Sequence, residues 1–401
     1  MKEITDGVCA PKGFKAGGIA CGIKKNDKLD LALVVSEVPA TVAGIFTTNK
    51  VQAAPVTISK RHLQKGSARA IIANSGNANA CVGPDGLTAA EKMAALAAKQ
   101  LGIDAESVLV ASTGVIGVPL PVEKIEQGLE NNPGFLSVSG GNAAARAIMT
   151  TDTFSKEMAV EFTLSGVSVR IGGMSKGSGM IHPNMATMLG FLTSDVAIEQ
   201  ELLHQALQRA GELSFNRITV DGDTSTNDSL FILANGKAGN KKINAKDEDY
   251  QIFEAALTDA CIGLAKMMAR DGEGATKFVE IEVTGAKSEA DAVKAGKSIA
   301  TSNLVKTAIF GEDANWGRIL AAVGYSGIDF DPAETDIYLG DLLVCKGGVG
   351  LDFDEAKAKQ ILSQKDLVVT VKLSNEAKYA ARVWTCDLSY DYVKINGSYR
   401  T

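Results

Sequence analysis

Short apolar runs and longer amphipathic stretches alternate along the whole 401-residue chain, and no long polar linker separates them. The runs 31–35 and 70–73 are typical of buried strands. Residues 88–101 and 247–270 instead carry the repeating apolar stripe of a helix. Residues 158–164 and 167–171 alternate apolar and polar side chains and predict a hairpin. Strands and helices mixed in this order favour an α+β fold built in layers over a regular βαβ repeat.

Length and charge limit the classes of protein and partner. A chain of this length can bury a large core and is expected to form two domains or lobes. Its 45% hydrophobic and 22% charged residues are near ordinary globular averages. The formal net charge is −6, and the basic residues are scattered, whereas a nucleic-acid-binding protein needs a basic stripe. No segment approaches the ~20 apolar residues of a membrane span. Nucleic-acid and membrane partners are therefore not expected.

Cysteine spacing and the N-terminal residues bear on the compartment. The six cysteines stand far apart and form no CxxC pair, which argues against metal fingers and redox motifs. Scattered thiols are typical of small core residues in a reducing cytoplasm. The first residues lack the apolar run of a signal peptide. We expect a cytoplasmic protein without a bound metal.

Histidine is scarce, which limits the available bases. His62 and His204 lie in charged or amphipathic stretches and are expected at the surface. His182, beside Pro183, is the one histidine near candidate chemistry, and its role is left open. A nucleophile that supplies its own base is therefore favoured over a histidine-dependent triad. The asparagine-rich run 74–79 resembles a turn-forming loop on composition alone.

A glycine-rich, proline-bearing segment in the middle of the chain runs from Lys176 to Leu189 and has a small residue, Ala186, directly before Thr187. An internal threonine has no base near its hydroxyl. A threonine at a new N-terminus carries an α-amine, which titrates near pH ~7.7–8.0 and can accept the hydroxyl proton. The segment therefore suggests self-cleavage between Ala186 and Thr187. On spacing alone an ordinary loop is the favoured explanation, because glycine and proline mark turns everywhere.

Four other residues carry suitable chemistry. Thr113 and Gly114 follow a predicted strand, where a hydroxyl and an N–H could stabilise one oxyanion. Lys176 precedes a flexible glycine run and could meet a substrate carboxylate. Glu273 lies between two glycines at a helix end and suits a substrate ammonium. Each also has an ordinary explanation, namely a turn closed by Gly114, a solvated surface lysine and an exposed turn.

Several strings occur together and in order from one end of the chain to the other, and as a set they resemble the ornithine acetyltransferase family, also called glutamate N-acetyltransferase. The matching strings are APKGF at 10–14, IANSGNAN at 72–79, TGVIG at 113–117, TTDT at 150–153, the segment 176–189, GEDANWGR at 311–318, and YVKIN at 392–396 with YRT at 399–401. The resemblance implies a self-cleaving, N-terminal-nucleophile-like α+β fold: a layered αββα-type sandwich of mixed sheets with flanking helices. It also implies an alpha chain, 1–186, and a beta chain, 187–401.

The resemblance further implies transfer of an acetyl group from N-acetyl-L-ornithine to L-glutamate through an acetyl-Thr187 intermediate. Thr113 and Gly114 are the implied oxyanion hole. The implied substrate contacts are Thr150, Lys176, Thr187, Glu273, Asn396 and Thr401. No metal or bound cofactor is implied, acetyl-CoA is left open as a co-substrate, and the expected assembly has two alpha and two beta fragments.

Two other interpretations use the same residues differently. A self-processing N-terminal-nucleophile aminopeptidase or amidase would begin with the same chemistry and end with water as the acceptor. A small-molecule sensor would bind an amino acid without reacting, and its glycine-rich segment would be a plain loop. The pattern of Lys176, Glu273, Asn396 and Thr401 fits amino-acid recognition and favours the transferase over the hydrolase.

Overall fold

The computed structural model describes residues 1–182 and 188–398. Ala186, Thr187 and Thr401, three of the predicted site residues, lie outside the described residues. The described chain forms two compact units. The first contains residues 1–177, 188–216 and 224–268, and the second contains residues 178–182, 217–223 and 269–398.

A mixed sheet forms the centre of the first unit. Its nine described strands are β1 (Lys2–Ile4), β2 (Phe14–Ile19), β3 (Leu31–Phe46), β4 (Ser67–Asn77), β5 (Val108–Val115), β6 (Lys156–Leu164), β7 (Val167–Lys176), β8 (Leu189–Ser194) and β9 (Ser229–Ala234). They are ordered β1-β6-β7-β8-β9-β3-β4-β5, and β2 also pairs with β3. The pairs β4–β5 and β8–β9 are parallel, and the others are antiparallel.

Helices cover this sheet because its central strands are apolar on both faces. The helices of the first unit are α1 (Ala54–Leu63), α2 (Pro84–Leu101), α3 (Val122–Asn131), α4 (Gly141–Ala147) and α5 (Gln200–Leu213), and α6 (Glu248–Arg270) has its last two residues in the second unit. Successive strand residues point to opposite faces. Leu31 and Leu33 of β3 therefore join the core that includes α2 and α3, whereas Ala32 and Val34 join the core that includes α4.

The second unit has a two-layered arrangement with its own core. Its described strands are β10 (Phe278–Ala286), β11 (Asp336–Leu339), β12 (Leu342–Lys346), β13 (Val349–Gly350), β14 (Asp366–Lys372) and β15 (Tyr379–Cys386), in the order β13-β12-β11-β14-β10-β15. Its helices are α7 (Glu289–Thr301), α8 (Asn303–Phe310), α9 (Trp316–Gly324), α10 (Glu355–Leu362) and α11 (Tyr390–Asn396). Buried and more exposed residues alternate along β14, so one face of the sheet packs against α7–α9.

The predicted fold class, α+β with mixed sheets and flanking helices, is confirmed. The runs 31–35 and 70–73 lie in β3 and β4, and residues 158–171 form the β6–β7 hairpin. The helix predicted at 88–101 begins four residues earlier, because Pro84 occupies its first turn, where a fixed φ and a missing N–H cost nothing. Within the described part of the chain, no helix combines the length and the apolar character needed to cross a bilayer.

Two expectations from composition were wrong. His62 is only 4% exposed, because α1 packs against β5 and the His62 Nδ1 lies 2.7 Å from the carbonyl oxygen of Val108. The asparagine-rich run does not begin with a loop, since Asn74 and Asn77 belong to β4 and are buried. In both cases tertiary contacts satisfy the polar atoms, so polarity alone did not indicate exposure.

Candidate active site

The predicted oxyanion residues lie where β5 passes β4. The two strands pair in parallel through Ser75 with Thr113 and Gly76 with Gly114, and the register then shifts. Gly114 has φ of +133°, and a Cβ atom there would lie 2.5 Å from the backbone nitrogen of Asn77. Only glycine fits this backbone conformation and this close approach. The predicted turn at Gly114 is therefore an irregular strand end.

Lys176 contacts two of the other predicted residues, Thr150 and Thr113. It ends β7, and its side chain is not solvated, because the residue is 4% exposed. Its Nζ donates to the Thr150 Oγ1 at 2.9 Å and lies 3.3 Å from the Thr113 Oγ1. A buried cation beside two hydroxyl groups is a suitable receptor for a substrate carboxylate, because charge-assisted hydrogen bonds are the stronger ones.

Asp152 holds this group in place and was missed by the sequence analysis, although it stands within the matched string 150–153. Its Oδ1 accepts from the Lys156 Nζ at 2.6 Å and from the Gly177 N–H at 2.7 Å, and its Oδ2 accepts from the Thr150 N–H at 2.9 Å. Burial alone would raise the pKa of the Asp152 carboxyl. The ammonium groups of Lys176 and Lys156 outweigh burial and lower the pKa to about 2.

A network of buried amides supports the strand that carries Thr113. The Asn227 Nδ2 donates to the carbonyl oxygens of Ala78 and Ser112 at 2.6 and 2.8 Å. The Ser112 hydroxyl donates to the Asn74 Oδ1 at 2.6 Å, and the Asn74 Nδ2 donates to the Asn77 carbonyl at 2.9 Å. Satisfied buried networks rigidify the backbone around them. Asn74 of the matched string 72–79 therefore helps to hold the strand end that carries Thr113.

A second buried carboxyl, Asp228, holds the chain directly after the predicted nucleophile. Its Oδ1 accepts from the Met188 N–H at 2.6 Å. Its Oδ2 has no hydrogen-bond partner within the described chain, since the neighbouring Thr47 hydroxyl donates its proton to the Ser225 carbonyl. Asp228 is 2% exposed, and burial raises its pKa well above the ordinary range despite the hydrogen bond from Met188. No local pattern in the sequence indicated this residue.

In the second unit, Glu273 and Asn396 meet as a pair. The Asn396 Nδ2 donates to the Glu273 Oε2 at 2.7 Å, and the Glu273 N–H donates to the Ser178 carbonyl at 2.9 Å. A Cβ atom on Gly179 would lie 2.5 Å from the Glu273 Oε1, so glycine lets the carboxylate approach the backbone. Glu273 is 7% exposed, which contradicts the exposed-turn alternative.

The residues just before the proposed cut are held by their backbone atoms. Asp221 accepts from the N–H groups of Met180 and Ile181 at 2.6 and 2.9 Å. The Val220 N–H donates to the Ile181 carbonyl at 2.7 Å. These bonds fix the chain up to residue 181.

His182, whose role the sequence left open, is uncharged at neutral pH. Its Nδ1 lies 3.1 Å from the Thr219 Oγ1. Burial, with a smaller contribution from the charge of Lys297, lowers the pKa of His182 to about 4. A neutral imidazole joined to a threonine is suited to holding the segment in place. Within the described residues, no group of three or more acidic, histidine or cysteine side chains could hold a metal ion.

Sequence comparison matches the chain to known proteins over its whole length. A model of the ArgJ family matches residues 15–401. The arginine biosynthesis bifunctional protein ArgJ of Symbiobacterium thermophilum is 53% identical over 403 residues, which cover 100% of each chain. The crystal structure of ArgJ from Bacillus halodurans is 45% identical, covers 53% of this chain and 99% of the solved chain, and has a TM-score of 0.51. The crystal structure of ornithine acetyltransferase from Mycobacterium tuberculosis, complexed with ornithine, is 42% identical, covers 46% of this chain and 98% of the solved chain, and has a TM-score of 0.43.

Proposed function

This chain belongs to the ArgJ family, and on that premise we propose that it transfers the acetyl group of N-acetyl-L-ornithine to L-glutamate in arginine biosynthesis. The observation that carries the proposal is the group formed by Lys176, Thr150 and Thr113. It joins a buried cation, which suits the α-carboxylate common to both amino acids, to the threonine of the proposed oxyanion hole. Such a group fits transfer between two amino acids better than hydrolysis of a peptide.

The first step is self-cleavage. The Thr187 hydroxyl attacks the Ala186 carbonyl, the peptide becomes an ester, and water hydrolyses that ester to give fragments 1–186 and 187–401. Two observations support this step. Asp221 holds the amides of residues 180 and 181, and Asp228 holds the amide of residue 188.

Acetyl transfer then follows in two halves. The new α-amine of Thr187 takes the proton of its own hydroxyl, and the oxygen attacks the acetyl carbonyl of N-acetylornithine. Thr113 and Gly114 stabilise the oxyanion, an effect of ~3 kcal/mol per well-placed donor. Ornithine leaves with a proton, and acetyl-Thr187 remains. The amine of glutamate attacks this ester and leaves as N-acetylglutamate, which completes a ping-pong cycle.

The substrate contacts are assigned by charge. Lys176, aided by Thr150, receives the α-carboxylate of either amino acid. Glu273, joined to Asn396, receives the side-chain ammonium of ornithine, and Thr401 completes the set. The working assembly contains two alpha and two beta fragments.

Substitution of the nucleophile tests the proposal. Thr187→Ala should remain a single chain and lose transfer, because it has neither hydroxyl nor new amine. Thr187→Ser, the matched control, should still be cut. Denaturing electrophoresis and N-terminal sequencing report cleavage, and N-acetylglutamate formation reports transfer. Active wild-type enzyme that runs as one uncut band would contradict the cleavage step. Acetate release at the same rate with and without glutamate would indicate the hydrolase instead.

The bifunctional name of the relatives supports acetyl-CoA as a second acetyl donor. We expect N-acetylglutamate from acetyl-CoA and glutamate, formed through the same acetyl-Thr187. Mass spectrometry of the 187–401 fragment after mixing with acetyl-CoA alone should therefore show one added acetyl group. A fragment of unchanged mass would limit the donor to N-acetylornithine.

A further inference from the structure

Lys24 lies beside the proposed carboxylate receptor, which is formed by Lys176, Thr150 and Thr113. No step of the proposed mechanism uses Lys24. Its Nζ donates to the Met149 carbonyl at 2.6 Å and to the Leu29 carbonyl at 2.9 Å. Met149 directly precedes Thr150, which binds Lys176. The ammonium groups of Lys24 and Lys176 therefore hydrogen-bond to two consecutive residues, Met149 and Thr150.

The backbone around Lys24 is fixed in advance. Asp30 is fully buried, and its carboxylate accepts from the N–H groups of Cys21, Ile23 and Lys24 at 2.6 to 2.9 Å. The stem of Lys24 passes Gly76, where a Cβ atom would lie 3.0 Å from the Lys24 Cγ. Gly76 is the residue that pairs with Gly114. The turn thus directs Lys24 along the strand end that carries the proposed oxyanion hole.

The hydrogen bonds and the charge of the Lys24 side chain suit a residue that binds a substrate anion. A lysine ammonium has three N–H donors, and the described residues accept from two of those of Lys24. Burial, with smaller contributions from the charges of Lys176 and Lys28, lowers the pKa of Lys24 to about 8 against the opposing effect of Asp30 and Asp152. A bound carboxylate would relieve the repulsion between Lys24 and Lys176, because an opposite charge favours the ionised form.

We propose that Lys24 is a second substrate-binding cation, which together with Lys176 receives the α-carboxylate of N-acetylornithine and of glutamate. This inference rests on the proposed function. The third N–H of Lys24 donates to one carboxylate oxygen, and Lys176 donates to the other. One receptor with two cations suits both half-reactions, since the α-carboxylate is the one charged group that donor and acceptor carry at the same position.

The test separates a carboxylate contact from a merely structural one. In Lys24→Gln, kcat/KM for N-acetylornithine should fall about 10-fold or more, mainly through KM, because hydrogen bonds between charged groups are among the stronger ones. N-acetylputrescine is the same donor without its carboxylate, so its inhibition constant should change by less than about threefold. Lys28→Gln, the exposed matched control, should leave both values unchanged. Lys24→Met provides a second variant if the glutamine form does not fold.

An equal loss for the two compounds would overturn the proposal, because it would mean that Lys24 only supports the loop around Met149. Unchanged kinetics in Lys24→Gln would overturn it as well. Wild-type protein that transfers no acetyl group from N-acetylornithine would refute the proposed function itself, and that result is visible before any variant is made.

Discussion

Individual buried charged side chains hold neighbouring backbone segments in position in this protein. Lys156 and the side chain of Asp152 are shielded from water, and Lys176 is 4% exposed. A buried charge is costly unless it is paired and hydrogen-bonded. Asp152 meets this condition with the ammonium of Lys156 and two backbone amides, those of Thr150 and Gly177. The carboxylate that stabilises the first unit therefore also orients Thr150, a residue of the proposed substrate site.

Asp152 gives a pH-dependent stability whose direction follows from its pKa. The folded-state pKa is about 2, below the ordinary value of ~3.9, so folding favours the ionised form. This contribution is present above pH ~4 and is lost as the pH falls towards 2. We expect Asp152→Asn to lower the free energy of unfolding at pH 7 by about 3 kcal/mol. The wild-type advantage should shrink between pH 4 and 2.

Urea unfolding at pH 7, 4 and 3 measures this effect. Asp329 is the control, because its ion pair with Lys287 is exposed and Asp329→Asn should leave the midpoint unchanged at pH 7. A difference between wild type and Asp152→Asn that stays constant from pH 7 to 3 would show that the charge of Asp152 is not the cause.

At the scale of elements, the ends of β4 and β5 bring the proposed oxyanion residues into position. The register shift after Gly76 and Gly114 makes the two backbones approach closely. Irregular strand ends of this kind often lie beside active sites and redirect backbone groups. The amides of Asn227 and Asn74 tie the same strand ends together. The positions of Thr113 and Gly114 thus depend on β4, on β5 and on the loop that carries Asn227.

Gly114→Ala tests that dependence. The added methyl group would meet the backbone of residue 77, and alanine disfavours φ of +133°. We expect a loss of about 3 kcal/mol in unfolding free energy and a fall in kcat of about 100-fold or more. Gly117→Ala is the matched control, since φ is +79° but no atom lies within 4 Å of the added methyl. A similar loss of kcat in both variants would contradict a special role for Gly114.

At the scale of the molecule, the proposed cut separates β7 from β8, which are paired neighbours in the sheet of the first unit. In the first unit, β8 and β9 from residues after the cut lie between β7 and β3, which precede it. Both outer pairings, β7–β8 and β3–β9, are antiparallel ladders of six residue pairs. Phe191 on β8 and Phe231 on β9 share a core with Val34 of β3. Cleavage would therefore leave one continuous sheet made by two chains.

We accordingly expect fragments 1–186 and 187–401 to co-elute in gel filtration under native conditions and to separate only in denaturant. The hydrogen bonds and the buried apolar contacts of β8 and β9 do not depend on the peptide bond at residue 186. Dissociation of the cut protein in dilute buffer would contradict the strand order described above.

Much of this protein is determined locally by its sequence. Apolar periodicity predicted β3, β4, the β6–β7 hairpin and α6, because a side-chain repeat of 2 or 3.6 residues is a property of neighbours in the chain. Motif strings identified Thr113, Thr150 and Lys176 as candidates, and the described structure brings these three together. The tertiary structure alone decided that Lys176 and His62 are buried, and it alone revealed Asp152, Asp228 and Lys24. These outcomes depend on contacts between residues far apart in the chain, such as Lys24 with Met149, and sheet register and burial create such contacts.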